Sequence, residues 1–326
     1  MKNLNPKQQV RFITVDINHA GQRIDNFLLR ELDNVPRSYV YRILRKGEVR
    51  VNKKRCKPVY KLKEGDIVRI PPLFSANKSS PRSAPESLLK ALQSGILLED
   101  DDLIFINKPS GLAVHGGSGI QYGLIESFRQ LRPDLTFIEL VHRLDKETSG
   151  IVMLAKNRET LLQLHQMMKQ GQINKYYQTL IKGEWQGGRR KVTNQLQRQQ
   201  GQKQKMQVLK PDSGTTKTGK ESTSIFSPVS IYKGYSLMKV ELKTGRMHQI
   251  RTQLADLRHP VLGDSQYGDF GLNRTIKKEY GLKRLFLHAC HLQFTLKKGD
   301  NSKRYDCKIA LPDDLEAVIK ILETEN

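Results

Sequence analysis

The chain has 326 residues and a formal charge of +23, the balance of 56 Lys and Arg residues against 33 Asp and Glu residues. This length accommodates two domains with separate cores, and the positive excess indicates a polyanionic partner, either nucleic acid or an anionic membrane face. Because no apolar run is long enough to cross a bilayer and the first 12 residues lack a signal-peptide core, we expect a cytoplasmic protein that is neither secreted nor inserted in a membrane.

The first 72 residues predict a small separate module. Residues 22–32 have the apolar spacing of one helix face, and Ser38 is a candidate cap for a second short helix that Gly47 ends. Alternating residues at 49–52 predict a strand, and residues 67–70, which two prolines follow, predict another.

Basic residues are concentrated between positions 42 and 57, where eight occur with one acidic residue. A charge run of this kind often marks a solvated helix face, but this one spans a helix, a turn and a strand. Folding would gather it on one surface, so we predict contacts to RNA phosphates. The predicted contact residues are Arg42, Arg45, Lys46, Arg50, Lys53, Lys54 and Arg55.

Residues 73–90 are rich in Ser, Pro, Ala and Lys, which predicts a flexible linker, and residues 91–326 form the second predicted domain. Residues 186–220 are polar and basic, and we expect a loop-rich insertion there. The predicted elements of this domain are a hairpin of residues 96–98 and 103–107, a helix over 158–169, and strands over 174–181 and 236–242.

Asp145 is a candidate for catalysis. It follows the strand-forming residues 137–141 and precedes the apolar residues 151–154, which places it on a tight loop between two buried strands. Loops on a rigid scaffold commonly carry catalytic groups. A turn or helix-capping aspartate produces the same local pattern, so both interpretations stay open at this point.

Two further segments supply candidate partners for Asp145. Tyr177 follows Tyr176 in a predicted strand, whose alternation sends the two rings to opposite faces of the sheet; two ordinary strand tyrosines are the alternative. Residues 244–251 leave a strand and enter a predicted helix, which places Arg251 beside the apolar face. Because a guanidinium keeps a partly buried carboxylate ionised, we predict an Arg251–Asp145 pair, the alternative being a surface arginine.

The sequence contains few signs of metal or nucleotide chemistry. Glycine-rich turns at 107–111 and 115–119 contain neither a phosphate-binding G-K-[ST] nor a dinucleotide fingerprint. Three widely spaced cysteines without C-x-x-C spacing indicate reduced thiols. His288, Cys290 and His291 are close in sequence, but structural zinc needs four well-placed ligands. We therefore predict no metal and no nucleotide cofactor.

Several motifs in register resemble those of the RluA-type ribosomal pseudouridine synthases. The first 72 residues resemble an S4 RNA-binding domain, and residues 42–55 together with 113–119 most resemble the synthase C branch. The motifs are N-K-P-S-G at 107–111, H-R-L-D-K-E-T-S-G at 142–150, K-Y-Y at 175–177, T-G-R-M-H-Q-I-R at 244–251, H-P-V-L-G-D at 259–264 and L-H-A at 287–289.

The resemblance implies an α+β fold, with a mixed, largely antiparallel β-sheet in the catalytic domain and a small α/β S4-like domain before it. It also implies roles for single residues. Asp145 would be the nucleophile or base, Tyr177 would stack on the uracil, and Arg251 would pair with Asp145. His142 and Arg143 would contact the substrate, and Arg143 would occupy the gap left by a flipped-out uridine.

The implied reaction isomerises several specific uridines of 23S ribosomal RNA to pseudouridine. It adds and removes no atoms, so it requires no cofactor. The implied partner is large-subunit ribosomal RNA, with no membrane and no protein partner, and we expect a monomer.

Target choice stays open at the level of sequence. Thr252 and Gln253 replace the Val-His pair common in the family, and the insertion is unusually basic and glutamine-rich. The alternatives are an enzyme with the same chemistry on other rRNA uridines or on tRNA, an assembly factor without catalysis, and a hydrolytic glycosylase. The presence of Asp145, Tyr177 and Arg251 together argues against an assembly factor without catalysis. The lack of an evident second acid paired with Asp145 argues against a hydrolytic glycosylase.

Overall fold

The computed structural model describes residues 9–32, 35–72, 83–116, 122–199, 201, 205–209 and 219–325. They form two compact units, one ending at residue 82 and the other beginning at residue 83. Each unit is described by itself.

The first unit packs two helices against a small antiparallel sheet of strand order β1-β3-β2. Apolar side chains from both layers, among them Phe27, Ile43 and Val68, form a single core. The elements are β1 (Arg11–Thr14), α1 (Ile24–Glu31), α2 (Arg37–Lys46), β2 (Arg50–Val51) and β3 (Ile67–Ile70). The two predicted helices and the two predicted strands are therefore confirmed.

The two ends of α2 differ in how well the sequence predicts them. Gly47 has a left-handed φ of +72° and ends the helix, as expected for a residue without a Cβ. The predicted cap at Ser38 is wrong, because α2 already begins at Arg37 with Pro36 at the preceding position and no side-chain cap. The fixed φ of proline favours entry into a helix without a hydrogen-bonding cap.

The second unit contains a large sheet with helices around it. Its strands are β4 (Ile96–Glu99), β5 (Leu103–Lys108), β6 (Glu139–Leu140), β7 (Ser149–Ala155), β8 (Asn174–Lys182), β9 (Arg190–Arg198), β10 (Met206–Val208), β11 (Lys220–Tyr232), β12 (Tyr235–Leu242), β13 (Leu287–Lys298) and β14 (Asn301–Lys308). Its helices are α3 (Glu86–Ser94), α4 (Leu124–Leu131), α5 (Arg158–Lys169), α6 (Gln249–Asp256), α7 (Phe270–Glu279) and α8 (Asp313–Thr324). Within the described ranges, no helix has the length and apolar composition needed to span a bilayer.

The large sheet runs in the order β10-β9-β11-β12-β8-β13-β7-β5-β4, with β14 paired to β13 and β6 to β7. Among the described strands, β7 and β13 form the only parallel pair. The predicted α+β class with a mixed, largely antiparallel sheet is thus confirmed.

Strands β5 and β7 are buried on both faces. Ile104 and Val152 belong to the core on one face, while Phe105 and Met153 belong to the core on the other. Burial on both faces explains why the sequence of β7 is continuously apolar rather than alternating.

Gly150 permits the close approach of β7 and β13. Its φ is +113°, and a Cβ there would lie 2.2 Å from the carbonyl oxygen of Ala289. Only glycine fits this conformation and this space. The parallel pairing therefore fixes the chain a few residues after Asp145.

Two predicted boundaries differ from the structure. Residues 86–90 fall in the predicted linker but form the first part of α3, whereas residues 73–82 lie outside the described residues. The predicted loop-rich insertion at 186–220 contains β9 and β10, so that expectation is wrong for residues 190–198 and 206–208. Strand β9 carries only two apolar residues, half-buried Val192 and buried Leu196, among polar residues, so the apolar alternation used to recognise strands is weak.

Candidate active site

Asp145 lies on a short loop between β6 and β7. Leu144, the preceding residue, is buried in the core and anchors the loop. The Thr148 amide donates a hydrogen bond of 3.1 Å to the Asp145 carbonyl oxygen, which closes a tight turn. Asp145 itself is partly exposed, so its carboxylate is held in place yet accessible.

A second loop, at 108–112, supports the Asp145 loop through buried polar contacts. The Nζ atom of Lys108 is fully buried and donates to three carbonyl oxygens, those of Pro109 (2.8 Å), Leu112 (2.7 Å) and Lys146 (3.1 Å). Burial lowers the pKa of Lys108 to about 7, although nearby carboxylates oppose this shift. Since backbone carbonyls use every donor of the ammonium group, Lys108 joins the two loops.

Arg251, on α6, is 4% exposed and forms a two-pronged ion pair with Asp264. Its Nε and Nη2 atoms donate to the two Asp264 carboxylate oxygens at 2.7 and 2.8 Å. Asp264 is fully buried and also accepts hydrogen bonds from the amides of Gln266 and Tyr267. Burial disfavours its charge, but the hydrogen bonds and charge of Arg251 hold the pKa of Asp264 below its ordinary value.

The third guanidinium nitrogen of Arg251 faces Asp145, with Nη1 3.6 Å from Oδ2. The structure therefore contains the contact expected from sequence, as an ion pair longer than a hydrogen bond. The stronger partner, Asp264, was not predicted as a site residue. Asp264 ends the H-P-V-L-G-D motif that resembles the family, but a sequence pattern alone does not identify the distant residue with which it pairs.

Tyr177 lies on β8, with its side chain in the same cavity as Asp145. It is almost completely buried. Burial raises the pKa of Tyr177, and the charge of Asp145 raises it further, so the phenol is neutral over the physiological range. A neutral ring against a cavity suits stacking with a planar base.

His248 is a second site residue that the sequence did not single out. It has a left-handed φ of +53° immediately before α6, and its Nε2 atom is 3.9 Å from the Asp145 carboxylate. Its Nδ1 atom is 2.8 Å from the hydroxyl of Tyr267, whose ring lies beneath the Arg251 guanidinium. Positive φ at a non-glycine residue is uncommon, and nothing in the local sequence predicts it.

One cavity of about 190 Å³ brings together five of the predicted site residues. Arg143 is exposed at this cavity, whereas His142 is half-buried. Burial and the charge of Lys175 lower the pKa of His142 to about 3, so its ring is neutral. The five residues are His142, Arg143, Asp145, Tyr177 and Arg251.

The seven predicted RNA-contact residues lie in the first unit, and each is exposed. Asn52 and Lys53 both have positive φ and reverse the chain after β2. The Arg55 side chain then lies against Gly47 at the end of α2, and Arg50 donates to the Gly47 carbonyl oxygen. We call the surface formed by these seven residues (Arg42, Arg45, Lys46, Arg50, Lys53, Lys54 and Arg55) the basic surface.

The described residues contain no group of three or more His, Cys, Asp or Glu side chains arranged to hold a metal ion. In the run from His288 to His291, the His288 Nδ1 atom is 2.9 Å from the Ser149 hydroxyl, and the His291 Nε2 atom is hydrogen-bonded to the Asp306 carboxylate. These two histidines therefore have separate partners.

Comparison with known proteins identifies both units. Residues 102–256 match the family described as RNA pseudouridylate synthase, and residues 22–68 match the S4 domain. The chain is 42% identical to the ribosomal large subunit pseudouridine synthase C of Haemophilus influenzae, over 96% of this chain and 95% of that protein. It is 44% identical to the protein of the same name from Escherichia coli K12, over 90% and 91%.

Solved structures agree with this match. Human RNA pseudouridylate synthase domain containing 4 superposes with a TM-score of 0.61 at 25% identity, over 73% of this chain and 96% of that one. A second human structure, RNA pseudouridylate synthase domain containing 1, has a TM-score of 0.53 at 21% identity, over 70% and 94%, and supports the fold. The predicted pseudouridine synthase type of fold is thus confirmed.

The Asp264→Asn variant tests the ion pair that holds Arg251. It leaves a buried guanidinium without its carboxylate, so we expect a loss of about 3 kcal/mol in the free energy of unfolding. Urea unfolding followed by the fluorescence of Trp185, the single tryptophan, measures this loss. The control is Glu316→Gln, which removes an exposed pair with Lys320 and should cost about 0.5 kcal/mol or less.

The same pair predicts a pH dependence. Because the pKa of Asp264 is lowered by folding, its contribution to stability is present above about pH 4, the ordinary Asp value, and disappears as the pH falls through the lowered value. The stability difference between wild type and Asp264→Asn should therefore shrink below pH 4. If the stability difference between wild type and Asp264→Asn is small at pH 7, or stays constant down to pH 2, Asp264 does not stabilise the fold through its ion pair with Arg251.

Proposed function

The chain belongs to the RNA pseudouridylate synthase family and is a pseudouridine synthase, and from this premise we propose that it modifies several uridines of 23S ribosomal RNA. The names of its relatives support this substrate, since two of them are large-subunit synthases with more than 40% identity. The S4 domain and the net charge of +23 support an RNA partner. We propose a monomer acting in the cytoplasm.

The observation that carries the proposed mechanism is the position of Asp145. Its carboxylate is accessible from the cavity and lies 3.6 Å from a buried arginine that Asp264 already holds in place. Tyr177 supplies an aromatic wall of the same cavity. An RNA-binding protein without catalysis would gain little from this arrangement, because burying charged groups is costly.

The reaction we propose begins with the target uracil stacked on Tyr177. Asp145 acts as nucleophile or base, and the guanidinium of Arg251 faces its carboxylate. The bond between N1 and the ribose C1′ breaks, the base turns within the cavity, and C5 bonds to C1′. The proton lost from C5 is balanced by the proton gained at N1, so uridine and pseudouridine have the same atoms and no cofactor is required.

Access to the target requires the uridine to leave its stack. The glycosidic bond of a stacked nucleotide cannot reach a recessed carboxylate, and extrusion of one base costs a few kcal/mol. Arg143 is exposed at the cavity and can occupy the vacated position in the RNA. Phosphate contacts by the basic surface would offset part of the extrusion cost.

The Asp145→Asn variant tests the catalytic role. It keeps the shape of the side chain and removes its charge, so pseudouridine formation on 23S rRNA should fall below detection while RNA affinity changes less than threefold. Single-turnover assays and filter binding measure the two quantities. The control is Asp256→Asn, an exposed aspartate at the end of α6, which should keep wild-type activity. Substantial turnover by Asp145→Asn would remove this residue from the mechanism.

A second variant tests the basic surface. Replacing Arg45, Lys46, Lys53 and Lys54 by Gln should weaken rRNA binding and reduce the slope of log affinity against log salt by roughly 0.7–0.9 for each phosphate that the protein no longer neutralises. The control removes the same charge from exposed lysines of the second unit: Lys277, Lys278, Lys283 and Lys320. Equal slopes for the two variants would show that the basic surface does not contact the RNA backbone.

A further inference from the structure

Lys175 is a buried cation that lines the candidate active site. It is 8% exposed and lies two residues before Tyr177 on β8, so both side chains point to the same face of the sheet. It is one of the residues around the cavity. A Cβ placed on Gly245, across the cavity wall, would lie 3.7 Å from Lys175 Nζ, which locates the ammonium group beside the turn before α6.

This ammonium group has no protein partner in the part of the chain that the structure describes. No described carboxylate lies within 4.0 Å of it, and no described group accepts a hydrogen bond from it. Burial lowers the pKa of Lys175, and no carboxylate opposes that shift. Lys108 is the contrasting case, since it is also buried but donates to three carbonyl oxygens.

Two other cations of the cavity, Arg251 and Arg246, are already engaged within the protein. Two nitrogens of Arg251 bind Asp264, and its third faces Asp145. Arg246 donates through Nε to the carbonyl oxygen of Glu221. A buried charge without a partner destabilises the free protein, and a bound ligand can supply the missing partner. Among the described residues that line this cavity, Lys175 is therefore the buried cation left available to a ligand, whereas Arg143 is exposed at its entrance.

The position of Lys175 suits the base of the bound nucleotide. Two residues along a strand correspond to about 7 Å, so an ammonium group at Lys175 can reach the edge of a uracil stacked on Tyr177. The cavity walls include the apolar residues Leu242 and Leu287. This environment suits a base, whereas the exposed Arg143 suits a phosphate at the entrance.

We propose that Lys175 donates a hydrogen bond to a carbonyl oxygen of the bound uracil and stabilises the negative charge that the base acquires during the reaction. This inference rests on the proposed function. When the N1–C1′ bond breaks, its electron pair goes to the uracil, where it spreads over N1 and the carbonyl oxygens. Lys175 stays an ammonium group throughout and transfers no atom. The negative charge leaves the base when C5 bonds to C1′, and the C5 proton is then lost while N1 gains one.

The test compares Lys175→Met with Lys320→Met, which removes an exposed lysine of α8. The expected result for Lys175→Met is a single-turnover rate about 100-fold or more below wild type, in line with removal of one donor to a developing oxyanion. RNA affinity should stay within threefold, and the melting temperature should equal or exceed that of wild type, because an unpaired buried charge is removed. Lys320→Met should match wild type in rate and affinity.

Substrates with 2-thiouridine or 4-thiouridine at one target position locate the contact. Sulfur accepts hydrogen bonds poorly, so the thio substitution at the contacted position should slow wild type and have little further effect on Lys175→Met. This non-additivity is the signature of a direct contact.

Four results would overturn the inference. The first two are a wild-type rate for Lys175→Met and a lowered melting temperature that accounts for its reduced activity. The others are a loss of affinity that a methylphosphonate beside the target uridine reproduces, and additive effects of both thio substitutions. Failure of the proposed function is distinguishable, because wild type itself would then form no pseudouridine in any of these substrates.

Discussion

The buried ion pair between Arg251 and Asp264 is the interaction on which the site depends. Asp264 takes two nitrogens of the guanidinium group and leaves the third directed at Asp145. Since both partners are almost completely buried, the guanidinium plane cannot turn without breaking hydrogen bonds in a medium of low polarity. The Arg251 guanidinium is thus already oriented toward the proposed catalytic carboxylate of Asp145. This charge does not have to rearrange during the reaction.

The sheet brings the other parts of the site together. Strand β13 lies between β7, which follows the Asp145 loop, and β8, which carries Tyr177. Ala289 pairs with Gly150 on one side and with Tyr177 on the other. Because Gly150 and Ala289 are small, β7 can lie close to β13. The distance between the Asp145 loop and the Tyr177 ring is therefore set by the pairing of the strands rather than by a flexible loop.

Much of this could be predicted from local patterns. The loop of Asp145 was recognisable because two apolar strands border it, and the Arg251–Asp145 contact followed from a helix whose apolar face is clear in the sequence. Asp264, Lys108 and His248 could not be assigned roles, because their contacts join segments far apart in the chain or depend on an unusual φ. The sequence predicts a loop where β9 lies, because its backbone pairing with β11 defines this strand more than its two apolar residues do.

The most direct measurement is a base-resolution map of pseudouridine on protein-free 23S rRNA, before and after incubation with the purified protein, combined with an assay for free uracil. New pseudouridines at a few positions, without release of uracil, are the predicted result, and the map identifies the targets. Tight binding of 23S rRNA with no new pseudouridine would contradict the proposed substrate, and released uracil would contradict the proposed isomerisation.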